Sequence, residues 1–489
     1  MRGNQVLRLG TGRGPAFELC SPATRRLVAE VRSADRNDGA AAAARAQAAF
    51  GAWSSLDPLQ RGRHLRALAA LIAERIEDLA LLEAEIVGRP IREMRAQMRR
   101  IPEWLEWFGG VAAGLEGESN RLAGGLTTLT HWEPFGVVAL LTPWNHPVLI
   151  LVKKLAAALA AGNTCLVKPS ELAPATPLLL QDWAEEAGFP RGVIEVLPGG
   201  PDIGDAVCRA PEVQRIDLTG GTATGRTVAA IAGERLIPVT LELGGKTPVL
   251  VFADAPLDKA VAGVLFAAFV ASGQTCVSAA RILVERSIYT RFVDVLASRV
   301  AALRLGDPLE PTTDVGPVVR AAARDRALQA IGTAVADGAR IAAGGTLPVL
   351  EPSLRDGFYV PPTVLADVTP SMGVFRDELF APVIAVTAFS DEVEAVTLAN
   401  DSPFALGCSI WTRDVGRAHR LSTQVRAGVV WINDHHKNDP RSVWGGFGAS
   451  GYGKENGWDA LRSYLRKRSV VVRTSERFDD WFAGGGRYG

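Results

Sequence analysis

The sequence predicts an α/β protein with two α/β domains. The chain has 489 residues, which is more than one small core accommodates. From Val137 onward, short β-rich runs alternate with helical stretches rich in Ala and Leu, and a second series of the same kind begins after Gly244. Such alternation is typical of parallel strands joined by crossover helices. We therefore expect two sheets covered by helices.

The elements of the first series follow an N-terminal helical region. Residues 41–53 and 61–86 carry apolar side chains at helical spacing. These helices are expected to pack against the first sheet. The strands predicted for that sheet are residues 137–141, 165–168, 194–197 and 215–218.

The second series predicts another sheet. Its strands are expected at residues 248–252, 281–285, 383–387 and 428–433, with a helix at 288–303. The apolar stretch 260–271 is shorter than the ~20 residues that cross a bilayer and is interpreted as a buried helix. A hinge at 243–246 places Leu-Glu-Leu-Gly-Gly-Lys in a cleft between the domains, where open α/β sheets bind ligands.

The charge balance and the cysteines exclude several classes of function. The 53 basic and 53 acidic residues cancel, which argues against a nucleic-acid or polybasic membrane partner. The first residues lack an apolar segment of signal-peptide length, so a cytoplasmic protein is expected. The five cysteines form no Cys-x-x-Cys pair, so we expect free thiols and no metal site.

Cys276 is the candidate nucleophile. It stands in a polar loop, Ser-Gly-Gln-Thr-Cys, between the predicted buried helix and a strand. A thiolate attacks carbonyl carbon readily, and the backbone N–H groups of such a loop can lower the thiol pKa and hold an oxyanion. The alternative is that Cys276 is a small buried hydrophobic residue.

Two further side chains complete a candidate catalytic set. Glu242 lies between two leucines at a strand end, where desolvation raises a carboxyl pKa toward that of a general base; the alternative is an ion pair with Lys246. Asn145, in Thr-Pro-Trp-Asn-His-Pro, offers an uncharged N–H donor to an alkoxide, although Asn and Pro also form ordinary turns. A dyad of cysteine with His146 is disfavoured because no triad partner is specified.

Two strand ends carry candidate nucleotide-binding residues. The turn Thr-Gly-Gly-Thr-Ala-Thr-Gly, residues 219–225, can aim backbone N–H groups at a pyrophosphate, but it lacks the Gly-x-Gly-x-x-Gly spacing. Lys168 and Glu171, in Lys-Pro-Ser-Glu, supply a cation and a carboxylate that could bind ribose hydroxyls. The alternative for that segment is a solvated loop.

Taken together, these segments resemble the aldehyde dehydrogenase superfamily along nearly the whole chain. The matching pieces are residues 143–145, 168–171, 220–225, 241–246, 273–276, 378–382 and 444–446. The resemblance implies an α/β fold with a Rossmann-type cofactor domain, an α/β catalytic domain and a β-arm for oligomerisation. The implied boundaries are 1–115 and 135–243 for the NAD(P)-binding domain, 244–445 for the catalytic domain, and 116–134 and 446–489 for the arm and the C-terminal tail.

The resemblance implies NAD(P)⁺-dependent oxidation of an aldehyde to its acid. Cys276 would be the nucleophile that forms a thiohemiacetal and then a thioester. Glu242 would activate the hydrolytic water, and Asn145 with the Cys276 backbone N–H would hold the oxyanion.

The resemblance also implies a cofactor site, with NAD⁺ expected and NADP⁺ as the alternative. Glu171 would repel a 2′-phosphate and accept from a 2′-hydroxyl. Ala381, where the family usually has Gly, puts the placement of Glu378 in question. The implied cofactor-binding residues are Thr142, Pro143, Trp144, Lys168, Ser170, Glu171, Gly220, Gly221, Thr222, Gly225, Leu243, Gly244, Glu378 and Phe380.

The implied substrate pocket is polar. We expect a polar, aromatic or semialdehyde substrate whose far end is bound by residues 435–441; the alternative is that these side chains face solvent. The pocket residues implied by the resemblance are His146, Ile150, Lys153, Thr275, Val277, His435, Asn438 and Arg441. A homodimer or homotetramer is expected through the arm at 116–134 and a late strand at 463–474, with the tail 475–489 covering a neighbouring subunit.

Three other functions compete with this interpretation. A coenzyme A-acylating dehydrogenase is disfavoured by Glu242, because such relatives generally lack a glutamate at this position. A non-catalytic member of the family would be expected to lose Cys276, Glu242 or Asn145, and all three are present. A cysteine hydrolase would leave the cofactor-site residues unexplained.

Overall fold

The computed structural model describes residues 6–476 and 480–484. The strands are β1 (Leu7–Leu9), β2 (Ala16–Cys20), β3 (Leu27–Arg32), β4 (Glu118–Leu122), β5 (Leu126–Pro134), β6 (Val137–Thr142), β7 (Thr164–Pro169), β8 (Ile194–Val196), β9 (Val213–Thr219), β10 (Val239–Glu242), β11 (Thr247–Val251), β12 (Ala279–Glu285), β13 (Arg340–Ala343), β14 (Thr363–Ala366), β15 (Val383–Phe389), β16 (Phe404–Ala405), β17 (Gly407–Trp411), β18 (Val429–Ile432), β19 (Phe447–Gly448), β20 (Gly451–Tyr452) and β21 (Leu465–Arg473). The α-helices are α1 (Arg36–Ser54), α2 (Pro58–Glu74), α3 (Ile76–Val87), α4 (Ile91–Met98), α5 (Pro102–Val111), α6 (Pro147–Ala160), α7 (Ala175–Glu186), α8 (Pro201–Arg209), α9 (Thr222–Arg235), α10 (Leu257–Phe269), α11 (Tyr289–Ala301), α12 (Ala321–Ala336), α13 (Gly373–Arg376), α14 (Glu392–Asn400), α15 (Val415–Gln424) and α16 (Gly457–Ser463).

The first large sheet has the order β20-β10-β9-β6-β7-β8 and is parallel except for β20. Successive residues of β6 point to opposite faces: Val138 and Leu140 pack among α2, α5 and α6, while Val137 and Ala139 pack among α1, α8 and α9. Both faces are therefore buried, as the continuous apolar strands predict. The carboxyl ends of β6, β7, β9 and β10 share one edge of the sheet.

The second large sheet has the order β13-β14-β15-β12-β11-β17-β18, and only β13 runs antiparallel to its neighbour. Its two faces pack on α10 and α11 and on α12, α14 and α15. All eight predicted strands of the two series are present, with ends shifted by up to two residues. The α/β class with parallel sheets is thus confirmed.

Two predicted helical stretches end differently in the structure. Residues 61–86 form two helices, because Arg75 at φ −113° and ψ 18° interrupts the helical conformation between α2 and α3. The apolar stretch 260–271 is a buried helix as predicted, but α10 stops at Phe269. Ala271 and Ser272 both have φ of +54°, so the chain turns through a left-handed segment before Cys276.

A separate three-stranded sheet forms the predicted arm. Its order is β21-β5-β4, and both pairings are antiparallel. Every residue of β21 after Leu465 is exposed. The strands within 116–134 and the late strand are therefore confirmed, although the late strand begins only after α16.

Several elements carry no clear sequence signal. The N-terminal sheet β1-β3-β2 and strands β13, β14, β17 and β20 were not predicted. Strand β20 has two residues, of which one is Gly, yet it borders β10 beside Glu242. Short strands of this kind give no periodicity to read.

The ends of the chain are only partly described. In the predicted tail, residues 477–479 and 485–489 lie outside the described residues, and Trp481–Ala483 form one exposed 3₁₀ turn.

Within residues 6–476 and 480–484, no helix has the length and apolar character needed to cross a membrane. The same part of the chain contains no cluster of three or more His, Cys, Asp or Glu side chains arranged to hold a metal ion.

Candidate active site

Cys276 lies on the loop that follows α10, close to the edge where the first sheet ends. Gly245 packs against this loop so closely that a Cβ there would come within 2.3 Å of the Cys276 carbonyl oxygen. Burial raises the pKa of the Cys276 thiol to about 12, and the nearby Glu242 carboxylate adds to the shift. The expectation that the loop lowers this pKa is wrong, because desolvation of the thiol by burial raises it.

Glu242 ends β10 and is 4% exposed. Its Oε1 atom has no hydrogen-bond partner among the described residues. Burial raises the carboxyl pKa well above its ordinary value, and the neighbouring Glu455 carboxylate reinforces the shift. The predicted raised pKa is confirmed, and no ion pair between Glu242 and Lys246 occurs in the part of the chain that the structure describes.

Asn145 joins the end of the first sheet to the loop of Cys276. It is buried in the turn between β6 and α6, and its Nδ2 donates to the Gln274 carbonyl at 2.9 Å. An amide has two N–H bonds, so one remains to donate to a reacting oxygen. The side chain is therefore held two residues from the nucleophile by a single hydrogen bond.

His146 is held on its Nδ1 side by residues that the sequence did not single out. Its Nδ1 lies 2.8 Å from Arg89 Nη1 and 2.6 Å from Gln97 Oε1. Burial and the Arg89 charge hold the pKa of His146 well below its ordinary value, so the ring is neutral. His146 Nε2 and Gln97 Nε2 are buried and have no partner among the described residues. The ring of His436 completes this cluster at 6.2 Å from that of His146.

A buried network of charges lies behind Glu242. Lys153 and Lys154 of α6 each bind a different oxygen of Glu455 at 2.6 Å, and Lys154 also binds Asp217. Although burial raises the pKa of Glu455, the two ammonium groups outweigh it and lower that pKa. Lys153 was expected to line the substrate pocket; its ammonium instead pairs with Glu455 and lies 5.1 Å from the Trp444 ring.

The sequence gives a signal for the lysines of this network but not for their partner. Two adjacent lysines in the otherwise apolar run of α6 are a signal, since buried lysines require partners. Their partner Glu455 lies 301 residues from Lys154 in the chain, and no local pattern connects them.

The predicted ribose-binding segment extends from the end of β7. The Ser170 N–H donates to the Thr142 carbonyl at 2.9 Å, which ties this segment to the end of β6. Lys168 is mostly buried and its ammonium lies 3.6 Å from the half-exposed Glu171 carboxylate. Pro143 lies between Thr142 and the turn of Asn145, so the ends of β6 and β7 contribute to one surface.

The predicted pyrophosphate turn, residues 219–225, overlaps the start of α9, because the helix already begins at Thr222. Gly221 is the N-cap residue of α9, and space is open around a Cβ placed there. The Gly220 N–H donates to the Glu242 carbonyl at 3.0 Å, and Thr222 Oγ1 donates to the Ala449 carbonyl at 3.1 Å. Gly225 faces Leu243 so closely that a Cβ would come within 2.6 Å of its side chain.

Glu378 and Phe380 come to the same edge from the second sheet. Glu378 Oε1 accepts from the Gly245 N–H at 2.8 Å, and a Cβ on Gly244 would lie 2.3 Å from Glu378 Oε2. Phe380 packs edge-to-face with Trp144 at 5.6 Å and carries a positive φ of 56°. Ala381 is buried without a positive φ, so the alanine is accommodated and Glu378 keeps its contact.

The remaining predicted pocket residues divide into two groups. Ile150, Thr275 and Val277 are buried on α6 and around Cys276, and Thr275 Oγ1 has no partner among the described residues. The others are engaged elsewhere: His435 contacts Ser409 Oγ and the Val277 carbonyl, Asn438 accepts from Asn456 Nδ2, and exposed Arg441 binds Asp439. The second group offers little to a substrate.

Comparison with known proteins gives consistent results. Residues 10–470 match the model of the aldehyde dehydrogenase family. Betaine aldehyde dehydrogenases of Brucella melitensis and Brucella ovis are 39% identical over 460 residues, which cover 94% of this chain and 94% of each relative. A sequence identity of 39% along nearly the whole chain is more than a shared fold alone would give.

Solved structures agree. A putative aldehyde dehydrogenase of Burkholderia cenocepacia superimposes with a TM-score of 0.93 at 35% identity, covering 95% of this chain and 96% of that one. PnpE in complex with nicotinamide adenine dinucleotide gives 0.94 at 37%, covering 98% and 97%. Betaine aldehyde dehydrogenase of Staphylococcus aureus in complex with NAD⁺ gives 0.93 at 34%, covering 96% and 93%. The expected fold and enzyme class are confirmed, and the chain belongs to the aldehyde dehydrogenase family.

Proposed function

We propose that this protein oxidises an aldehyde to the carboxylic acid with NAD⁺, through a thioester on Cys276. The observation that carries the proposal is the meeting of three groups at one edge. A thiol, a buried carboxylate with an unpartnered oxygen and an amide donor converge there, on Cys276, Glu242 and Asn145. A nucleophile, a base and an oxyanion donor are what acyl transfer to water requires.

The residues at the neighbouring strand ends fit a dinucleotide. The N-terminus of α9 with open space at Gly221 suits a pyrophosphate. Lys168 and the half-exposed Glu171 suit ribose hydroxyls, and the negative charge of Glu171 favours NAD⁺ over NADP⁺. A cavity beside the loop of Cys276 is lined by Lys246, Thr275, Glu378 and Phe380.

The mechanism begins with the thiol of Cys276, which is protonated at rest because its pKa is about 12. The thiol gives its proton to solvent water, the sulfur adds to the carbonyl carbon, and Asn145 Nδ2 with the Cys276 N–H binds the oxyanion. Lys168, Glu171 and the N-terminus of α9 would hold NAD⁺, which would supply the acceptor for the hydride of that carbon. Glu242 then takes a proton from water, whose oxygen attacks the thioester; the bond from carbon to the Cys276 sulfur breaks, the acid leaves, and the proton on Glu242 returns to the sulfur.

The electrostatics of Glu242 suit the hydrolytic step. A carboxylate that is desolvated and near the Glu455 charge binds a proton more strongly than one in water. Such a group is a better general base at neutral pH. A coenzyme A-acylating enzyme would have no use for this group, so we expect product formation without coenzyme A.

We further propose a polar substrate, either a hydroxylated aromatic aldehyde or a semialdehyde. His146 Nε2 and Gln97 Nε2 are buried nitrogens without partners, and such groups cost free energy unless a ligand satisfies them. The rings of His436 and Phe266, 6.3 Å apart, lie next to this cluster. The cationic Arg89, 2.8 Å from His146 Nδ1, disfavours the trimethylammonium group of betaine aldehyde, the substrate in the names of the Brucella relatives.

This choice is tested by comparing kcat/KM for 4-hydroxybenzaldehyde, succinic semialdehyde, hexanal and betaine aldehyde. The kcat/KM for 4-hydroxybenzaldehyde or for succinic semialdehyde is expected to exceed the values for hexanal and betaine aldehyde. His146→Phe should remove that advantage and leave hexanal turnover largely unchanged. Equal or better turnover of betaine aldehyde by the wild-type protein would contradict the proposal.

The reaction itself is tested by following the reduction of NAD⁺ and NADP⁺ at equal protein concentration with the same aldehydes. Cys276→Ala is the control, and it should abolish reduction while the protein still binds NAD⁺. Activity retained by Cys276→Ala would refute the thioester mechanism.

We propose that the protein is a cytoplasmic homodimer or homotetramer assembled through the arm. The exposed side chains of Val470, Val471 and Val472 on β21 support this, because apolar residues on an outward-facing strand favour an interface. The domain boundaries at 115/116, 134/135, 243/244 and 445/446 are part of the same proposal. Sedimentation of the wild-type protein beside Val471→Lys tests the assembly; an unchanged oligomer would exclude this strand.

A further inference from the structure

Glu83 is a buried carboxylate that lies outside the candidate catalytic set. It belongs to α3 and is 1% exposed. Its Oε1 accepts two hydrogen bonds, from the Val148 N–H at 3.0 Å and from Thr176 Oγ1 at 2.8 Å. Val148 is the second residue of α6 and Thr176 the second of α7. One oxygen of α3 therefore joins the first turns of two other helices.

Each of these helices directly follows a segment of the proposed active site. Asn145 lies three residues before Val148, and Glu171 lies five residues before Thr176. Neither helix has a side-chain hydrogen bond from its own N-cap residue. Because the first N–H groups of a helix have no partner within the helix, Glu83 supplies from a distance the acceptor that a local cap would give to α6.

This arrangement is costly for the carboxylate. Burial raises the pKa of Glu83 to about 7, although Thr176, Val148 and the Arg89 charge all act to lower it. Glu83 Oε2 has no hydrogen-bond partner among the described residues. A buried acid with one unsatisfied oxygen is a poor way to obtain stability alone, so its placement indicates a requirement for geometry.

We infer that Glu83 is a positioning residue: by tying the start of α6 to the start of α7, it fixes the Asn145 amide relative to the Lys168–Glu171 segment. The inference rests on the proposed role of Asn145 as oxyanion donor. Displacement of a catalytic group by about 1 Å costs on the order of 100-fold in rate. Glu83 thus acts on the chemical step through Asn145.

Substitutions at Glu83 and Thr176 should lower kcat to different extents. Glu83→Ala, which removes the acceptor of both hydrogen bonds, is expected to lower kcat by roughly 10- to 100-fold with KM for NAD⁺ changed little. Glu83→Gln keeps an oxygen acceptor and is expected to restore kcat to within about threefold of the wild type. Thr176→Val removes one donor and should fall between them. Glu195→Ala on β8, which breaks a partly buried pair with Arg45 of α1, is the control that should reduce thermal stability without lowering kcat.

The decisive measurement is a double-mutant cycle on kcat with Asn145→Ala. If Glu83 acts through Asn145, Glu83→Ala costs no further activity in the Asn145→Ala background. Fully additive costs would overturn the inference and assign Glu83 a structural role. If Glu83→Ala does not fold, Thr176→Val replaces it in the same cycle with the same two outcomes. A wild-type rate in Asn145→Ala alone would instead refute the proposed role of Asn145.

Discussion

Glu242 and Glu455 are two buried carboxylates in the same region of the molecule, yet their surroundings oppose each other. Both are less than a tenth exposed, and each influences the pKa of its neighbours. Glu455 binds two lysines, and its pKa is lowered; Glu242 has an unpartnered oxygen, and its pKa is raised. The difference separates a charge that supports the fold from one that is free to take a proton.

The comparison also accounts for the position of the lysines. Lys153 and Lys154 both bind Glu455, and their positive charges partly offset the effect of the Glu455 charge on the Glu242 pKa. Lys154 is shared with Asp217, which in turn accepts from the Tyr464 hydroxyl at 2.6 Å. A paired network of this kind holds α6, β9 and the segment after β20 together around the base.

Replacing Glu242 should have the largest effect on activity. Glu242→Gln keeps the size of the side chain but cannot accept the proton from water, so kcat should fall by roughly 10²- to 10⁴-fold. Steady-state reduction of NAD⁺ measures the loss. A fall in kcat of less than about threefold would contradict the distinction between Glu242 as the base and Glu455 as a charge that supports the fold.

Replacing Glu455 should instead act on stability. Glu455→Gln leaves Lys153 and one bond of Lys154 unpaired in the interior, and loss of one partner of a buried ion pair costs about 3–5 kcal/mol. Urea unfolding followed by tryptophan fluorescence measures the change in the free energy of unfolding. The matched substitution Glu242→Gln should cost nothing, because it removes a charge that has no partner.

The two residues should also change stability with pH in opposite directions. The raised pKa of Glu242 means that its contribution is full below pH 4.5, its unfolded value, and is lost as pH rises through the folded pKa. The lowered pKa of Glu455 contributes above pH 4.5, and this is lost as pH falls. Relative to the wild type, the free energy of unfolding of Glu242→Gln should therefore increase as pH rises from 5 to 8. The loss of stability caused by Glu455→Gln should be smallest in acid. If the stability difference from the wild type changed with pH in the same direction for both variants, the assignment of the two pKa shifts would be contradicted.

The smallest effect is expected at a third, solvent-facing carboxylate. The Glu171 side chain is 46% exposed, and its charge is partly compensated by Lys168 at 3.6 Å. Glu171→Gln should raise the ratio of kcat/KM for NADP⁺ to that for NAD⁺ by roughly threefold to fivefold, as for one screened surface charge. Parallel assays with both nucleotides measure the ratio, and an unchanged ratio would show that Glu171 does not face the 2′ position.

The sequence predicts the strand series, the loop of Cys276 and the raised pKa of Glu242, because each depends on local pattern. Apolar runs give the strands, and two flanking leucines with two glycines give the desolvated carboxylate. The resemblance adds the arm, which periodicity alone does not reveal.

The sequence does not predict features that depend on distant residues. Nothing near Lys154 indicates Glu455, and nothing near His146 indicates Arg89 and Gln97, since these pairs form only when separate helices and strands pack. The direction of the Cys276 pKa shift was predicted wrongly for the same reason. A polar loop suggests exposure to N–H dipoles, but burial by the surrounding elements dominates.

The central claim is that Glu242 acts on the hydrolysis of a thioester at Cys276, and intact-protein mass spectrometry of Glu242→Gln mixed with NAD⁺ and an aldehyde that the wild type oxidises tests it directly. Glutamine removes the charge that helps raise the Cys276 pKa, so the sulfur should still be acylated while water is no longer activated. We expect an acyl adduct on Cys276 to accumulate in Glu242→Gln and not in the wild type. An inactive variant that carries no adduct would show that Glu242 is needed before the thioester forms, which contradicts this account.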